Sequence, residues 1–155
     1  MFVACWSAKG GSGTTVVAAA LALVLARSSE GGALLVDLAG DLPAVLGLPE
    51  PEGPGLTGWF AAGTSVPPDG LARLRAPVAE AMMLLPRGPG SLEPATRSAA
   101  FVQGLGDLGS SVVIDCGTLG PFPGEAPGAE VRRRVAQASP ERLVVTRPCY
   151  LSLRR

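Results

Sequence analysis

Apolar positions in this chain fall into short blocks separated by polar, glycine-rich or proline-rich stretches. Five blocks are apolar through their centres: Phe2–Trp6, Ala33–Leu38, Ala81–Leu85, Ser111–Cys116 and Arg142–Thr146. A short continuous apolar run bounded by turn residues reads as a strand; Phe2–Trp6 reads as a buried one and Ala33–Leu38 as a central strand of a parallel sheet. Between the blocks lie stretches with helical composition. Thr14–Arg27 is rich in Ala and Leu and stops at Ser-Ser-Glu-Gly-Gly; Leu42–Leu48, Leu56–Ala62 and Asp69–Arg75 are shorter. Glu93–Leu108 and Glu130–Ala138 complete the set, and Tyr150–Arg155 reads as the first turn of another helix. A loop rich in Gly and Pro spans Gly117–Ala129. Strands alternating with helices predict an α/β fold, a mainly parallel sheet with helices on both faces.

Composition narrows the classes. A chain of 155 residues, 47% of them hydrophobic, is long enough for one domain with a sizeable core, here residues 1–155. Formal net charge is zero, which argues against a general nucleic-acid binder or a polybasic membrane surface. The run Val16–Ala26 is too short to span a bilayer. A signal peptide is disfavoured, because strand-forming Phe2–Trp6 and a glycine turn precede that run. The expectation is a cytoplasmic protein with no membrane anchor in this chain. There is no histidine, which removes histidine triads and the usual zinc sites. Cys5, Cys116 and Cys149 are widely spaced and read as reduced thiols. Arg132-Arg133-Arg134 reads as a solvated helix face, with non-specific DNA contact as the alternative. Trp59-Phe60 reads as a small satellite core.

The sharpest chemistry lies in Ala8-Lys9-Gly10-Gly11-Ser12-Gly13-Thr14-Thr15, between the first strand and the first helix. Glycines let backbone N–H groups converge on an anion, and a helix N-terminus adds about half a positive charge. Gly10, Gly11 and Gly13 suit that role, and the Thr15 hydroxyl suits a magnesium ion. A tight strand-to-helix turn that merely needs glycine is the plainer alternative. Asp37 and Asp115 close two of the apolar strands, where ligands of open α/β sheets bind. Lys9 is the chain's single lysine among 13 basic residues.

The loop Lys9–Thr15 resembles the deviant Walker A motif, KGGxGK[ST], of the ParA/MinD family of P-loop ATPases. Leu34–Leu38 is similar to that family's switch I strand, Val112–Gly117 to its switch II strand, and Leu143–Pro148 to the strand after it. The resemblance runs through nearly the whole chain but covers about the first two-thirds of a family domain, so the chain looks truncated at its C-terminus. It implies a P-loop fold that binds ATP or ADP with Mg²⁺ and forms a nucleotide-dependent homodimer, with further protein partners unknown. Lys9 would reach across that dimer to the partner's phosphates. Gly10, Gly11, Ser12, Gly13 and Thr14 would cradle phosphate. Thr15, Asp37 and Asp115 would hold Mg²⁺, and Gly117 would offer its N–H to the γ-phosphate.

Two positions depart from the family pattern. Thr14 stands where the ordinary P-loop lysine falls, and a hydroxyl cannot replace an ammonium on phosphate. Ala39 stands where switch I carries its second aspartate; Asp41, two residues on, is the candidate substitute. The pairing Gly-x-Thr-Thr and the stretch Gly40–Leu46 resemble the CpaE/TadZ-type branch. Three functions stay open: a nucleotide-binding positioning switch with weak or absent hydrolysis, a localisation scaffold that no longer needs nucleotide, and an active ATPase using Asp41.

Overall fold

In the computed structural model, residues 1–120 and 128–148 are described. The expected first helical turn at Tyr150–Arg155, Cys149 and part of the Gly117–Ala129 loop lie outside them. Six strands form one sheet: β1 Phe2–Ser7, β2 Ala33–Asp37, β3 Ala76–Ala79, β4 Met82–Leu85, β5 Ser111–Thr118 and β6 Glu141–Val144, in the order β3-β4-β2-β5-β1-β6. The pairs β1–β5, β1–β6, β2–β4 and β2–β5 are parallel; β3–β4 is antiparallel. The helices are α1 Thr14–Ser28, α2 Leu42–Leu46, α3 Gly55–Ala61, α4 Gly70–Arg73, α5 Ser98–Gly106 and α6 Ala129–Ala138.

All five strands read from the apolar blocks are present, within a residue or two at their ends. β3 is the strand that pattern reading passes over. Its sequence, Ala-Pro-Val-Ala, holds Pro77, which cannot donate to a central ladder. It fits because β3 is at the sheet's edge, in a hairpin with β4 whose tight turn puts Ala81 at φ 55. The expected helix Glu93–Leu108 also shortens. Pro94 takes an extended conformation, so a 3-10 turn at Ala95–Arg97 leads into α5 only at Ser98.

Side chains on successive strand positions enter two cores, one on each face. Val3, Cys5, Ala33, Leu35 and Val113 pack with α1, while Ala4, Leu34, Val36, Val112 and Ile114 pack with α3, α5 and α6. The buried face of α1 is Ala18, Ala19, Ala22 and Ala26. Those small side chains let the helix axis lie close to the sheet, with its N-terminus at the carboxyl ends of β1 and β5. Trp59 and Phe60 are not a satellite. They join Phe101 in the α5–α6 core, with ring centroids 5.2–5.4 Å apart. Arg97 lies 3.8 Å over the Trp59 ring and donates to the Trp59 and Phe60 carbonyls near the end of α3.

Candidate functional site

The loop between β1 and α1 turns on glycine. Gly11 and Gly13 sit at φ +75 and +91, backbone that side chains with a Cβ rarely adopt, and a Cβ on either would meet nothing within 4 Å. The open space beside them is a cleft of about 540 Å³, within the range of small-molecule sites. Gly10, Gly11, Ser12, Gly13, Thr14 and Thr15 all line it. Gly13 caps α1 without a side chain, and the first turn of α1 holds no acid. The positive end of a 15-residue helix therefore faces the cleft.

Two serines fold the loop onto itself. Ser7 Oγ and Ser12 Oγ both donate to the Lys9 carbonyl, at 3.0 and 2.8 Å. Lys9 is half-buried and belongs to the loop, but its side chain is not part of the cleft's lining. The predicted residues thus separate: the glycines, Ser12, Thr14 and Thr15 share the cleft, and Lys9 stands beside it.

Strand register explains where the acids fall. Asp37 and Asp115 are paired partners on β2 and β5, and Asp115 faces Cys5 of β1. Alternation puts both acids on the α1 side of the sheet, with Leu35 and Val113. Their chemistry differs. Asp37 accepts from the Gly40 N–H at 2.6 Å and the Leu42 N–H at 3.3 Å, one to each oxygen. Its carboxylate ties down the turn from β2 into α2, and it does not line the cleft. Burial, followed by the charges of Asp115 and Asp41, pushes its pKa up to about 6 against those two hydrogen bonds.

Asp115 is fully buried. Its Oδ1 accepts from the Gly117 N–H at 2.9 Å, which commits the N–H that was expected to meet a γ-phosphate. Its Oδ2 has no hydrogen-bond partner of ordinary geometry among the described residues. Desolvation raises its pKa; the Thr15 hydroxyl, the Gly117 N–H and the Arg132 charge oppose that rise, and Asp41 adds to it. Asp115 lies beneath the cleft and is not among its lining residues, but a buried carboxylate oxygen with no hydrogen bond of ordinary geometry, next to a threonine hydroxyl at a helix N-terminus, fits a hard cation. Mg²⁺ takes oxygen ligands and keeps most of its waters, so Thr15 and Asp115 would suffice from the protein. Bound there, the metal would supply charge neutralisation for phosphate oxygens.

The far wall holds what sequence reading missed. Arg132 of α6 lines the cleft with Gly117, Thr118 and Ala39, and Arg132 Nη1 donates to the Cys116 carbonyl at 3.3 Å. The expectation of one solvated arginine face is corrected. Arg133 and Arg134 do pair with Glu130 at 2.6 and 2.7 Å on the outer surface, while Arg132 turns inward. The signal was present in the spacing: Val131 and Val135 are the buried stripe, and position 132 borders it. Asp41 also lines the cleft, and Ala39 occupies the position with no acid.

The raised pKa of Asp37 has a measurable consequence. Between pH 4 and 6 the folded state holds a proton that the unfolded chain has released, so folding stability falls as pH rises through that window. The loss attributable to Asp37 is about 3 kcal/mol at most, from two pKa units at 1.36 kcal/mol each. Asp115 acts in the same direction. Urea unfolding of the ligand-free protein at pH 4.5 and 7 should show a smaller pH dependence for Asp37→Asn than for wild type; equal dependence would refute the assignment.

No family model and no curated protein matches this chain. Solved structures do match. A ParA family ATPase from Chlorobium tepidum TLS superposes with a TM-score of 0.75 at 22% identity, covering 98% of this chain and 62% of that one. The MinD cell division protein of Aquifex aeolicus gives 0.74 at 19% identity, covering 98% and 58%. Cobyrinic acid a,c-diamide synthase from Mycobacterium smegmatis, solved with bound ADP and magnesium, gives 0.66 at 23% identity, covering 92% and 58%. The chain therefore spans about 60% of the length of the proteins it matches first. At these identities the likeness is one of fold: this chain shares the mainly parallel α/β fold of these proteins.

Proposed function

We propose that the cleft binds ATP or ADP with Mg²⁺ and that the protein acts as a nucleotide-dependent partitioning or spatial-positioning switch of the ParA/MinD kind, with weak or absent hydrolysis. The observation that carries this reading is the meeting of three features in one place: left-handed glycines around an open cleft, an uncapped helix N-terminus, and the fully buried carboxylate of Asp115 beside Thr15 beneath them. A bare turn would need the glycines and nothing else. The magnesium and ADP bound by the cobyrinic acid a,c-diamide synthase, which shares the fold, support the choice of ligand.

Weak hydrolysis follows from the chemistry of two positions. Thr14 offers a hydroxyl in place of an ammonium, and Ala39 offers a methyl in place of a carboxylate. Each group of that kind contributes orders of magnitude to phosphoryl transfer. Asp41 lines the cleft at its rim and is the remaining candidate to orient a water. The proposed unit is a single nucleotide-binding domain working as a homodimer, with Lys9 serving the partner's phosphates. Exposed Val16 and Val45 at the rim of the cleft give that face an apolar component. No helix among the described residues is long and apolar enough to cross a membrane. We place the protein in the cytoplasm, and the pairing of Arg133 and Arg134 with Glu130 leaves α6 a weak platform for DNA.

Calorimetric titration with MgATP tests the reading. Binding in the micromolar range is expected, and Gly13→Val should weaken it at least tenfold, because a β-branched residue resists φ +91 and would displace the loop's N–H groups. A folded wild-type protein that gives no binding heat would overturn the proposal in favour of a CpaE/TadZ-like localisation scaffold that needs no nucleotide.

A further inference from the structure

The loop lacks its expected cation at Thr14, and Lys9 is not in the cleft's lining, yet the cleft is not without positive charge. Arg132 is the basic side chain among its lining residues. It arrives from an unrelated direction. Helix α6 packs on the face of the sheet opposite α1, and its Val131 and Val135 are buried in the core there. Arg132, next to that stripe, reaches over the carboxyl end of β5. Its Nη1 lies 3.3 Å from the Cys116 carbonyl and 3.3 Å from where a Cβ on Gly117 would stand. Gly117 itself sits at φ +63, and a Cβ there would also approach Ala39 Cβ to 3.0 Å. Glycine at 117 thus leaves the room in which the guanidinium lies.

We propose that Arg132 is the cationic clamp for the terminal phosphates of the bound nucleotide, supplying from α6 the charge that Thr14 cannot supply from the loop. The inference rests on the nucleotide reading above and names a binding residue that the loop motif does not contain. The N-terminus of α1 stands on one side of the cleft and the guanidinium on the other, so a polyphosphate seated on the glycine loop lies between two groups that favour negative charge. Guanidinium suits the task chemically. It stays charged at any working pH and presents planar, paired N–H donors that match two phosphate oxygens.

The two roles separate by experiment on the whole chain. MgATP and MgADP are titrated into wild type, Arg132→Ala, Arg132→Lys, Arg132→Gln and, as a control on the outer face of the same helix, Arg134→Ala. Arg132→Ala should weaken MgATP at least tenfold and MgADP by less, so the ATP preference falls. Arg132→Lys should recover part of the loss and Arg132→Gln none, while Arg134→Ala stays within twofold of wild type. Thermal unfolding without nucleotide reports whether each variant is folded; if alanine is not tolerated, the Lys-against-Gln difference decides. Folded Arg132 variants that bind MgATP within twofold of wild type, or that lose ATP and ADP equally, would overturn the clamp alone. A wild type that binds neither nucleotide would instead overturn the nucleotide reading on which the clamp depends.

Discussion

Exchanging Asp115 for asparagine is expected to abolish the Mg²⁺ dependence of ATP binding, with at least a hundredfold loss of affinity in its presence, while the ligand-free protein becomes no less stable. The two halves of that result have one cause. Asp115 is fully buried, and burial is the largest influence on its pKa, which it raises. Hydrogen bonds from Gly117, and the side chain of Thr15, offset part of that cost. Oδ2 is left without a hydrogen bond of ordinary geometry. An uncompensated buried polar atom costs about 1–3 kcal/mol, and more when charged. A neutral amide removes the charge, keeps an acceptor for the Gly117 N–H, and leaves an NH₂ group beside the Thr15 oxygen. Apo stability at pH 7 should therefore hold or rise by about 1 kcal/mol. The same exchange removes the anionic ligand a hard cation needs. Paired measurements of melting temperature and of MgATP affinity check both halves. A less stable protein that still binds ATP in a Mg²⁺-dependent way would show that Asp115 is a structural carboxylate and nothing more.

How far the sequence announces this site depends on what kind of force places each residue. The glycines and Thr15 were legible because a strand, a glycine turn and a helix occupy contiguous positions, and local geometry needs no knowledge of the rest. Asp115 was legible because a carboxylate ending an apolar strand is conspicuous. Asp37 looks the same in sequence, yet its two oxygens are engaged by Gly40 and Leu42, and only the turn into α2 reveals it. Arg132 was hidden by its neighbours. Three consecutive arginines read as one solvated face, and the fact that separates them is tertiary: the α6 stripe is sunk into the core and Glu130 captures the other two. The mainly parallel sheet followed from strand–helix alternation. β3 did not, because its proline argues against a strand anywhere but at an edge, and edges are known only once the sheet is assembled.

Replacing Phe60 by alanine should cost the whole fold about 3–5 kcal/mol, the largest single effect on stability expected here. Phe60 has no exposed surface, and its ring lies 5.2 Å from both Trp59 and Phe101, so its loss removes apolar burial and two ring contacts together. Domains of this size are stable by only about 5–15 kcal/mol. The melting temperature should drop by roughly 6–20 °C, at about 2–4 °C per kcal/mol. The location makes the outcome informative. Phe60 belongs to the same buried cluster as Val131 and Val135, which hold α6 and therefore Arg132 in place. If that core is continuous, the variant must unfold in one transition, with the far-ultraviolet signal and nucleotide protection lost together. If the aromatic group were a separate satellite beneath α3, an early minor transition would appear and the cleft would survive it. Differential scanning calorimetry with and without MgATP distinguishes these outcomes, and a shift worth less than 1 kcal/mol would show that α3 is not part of the main core.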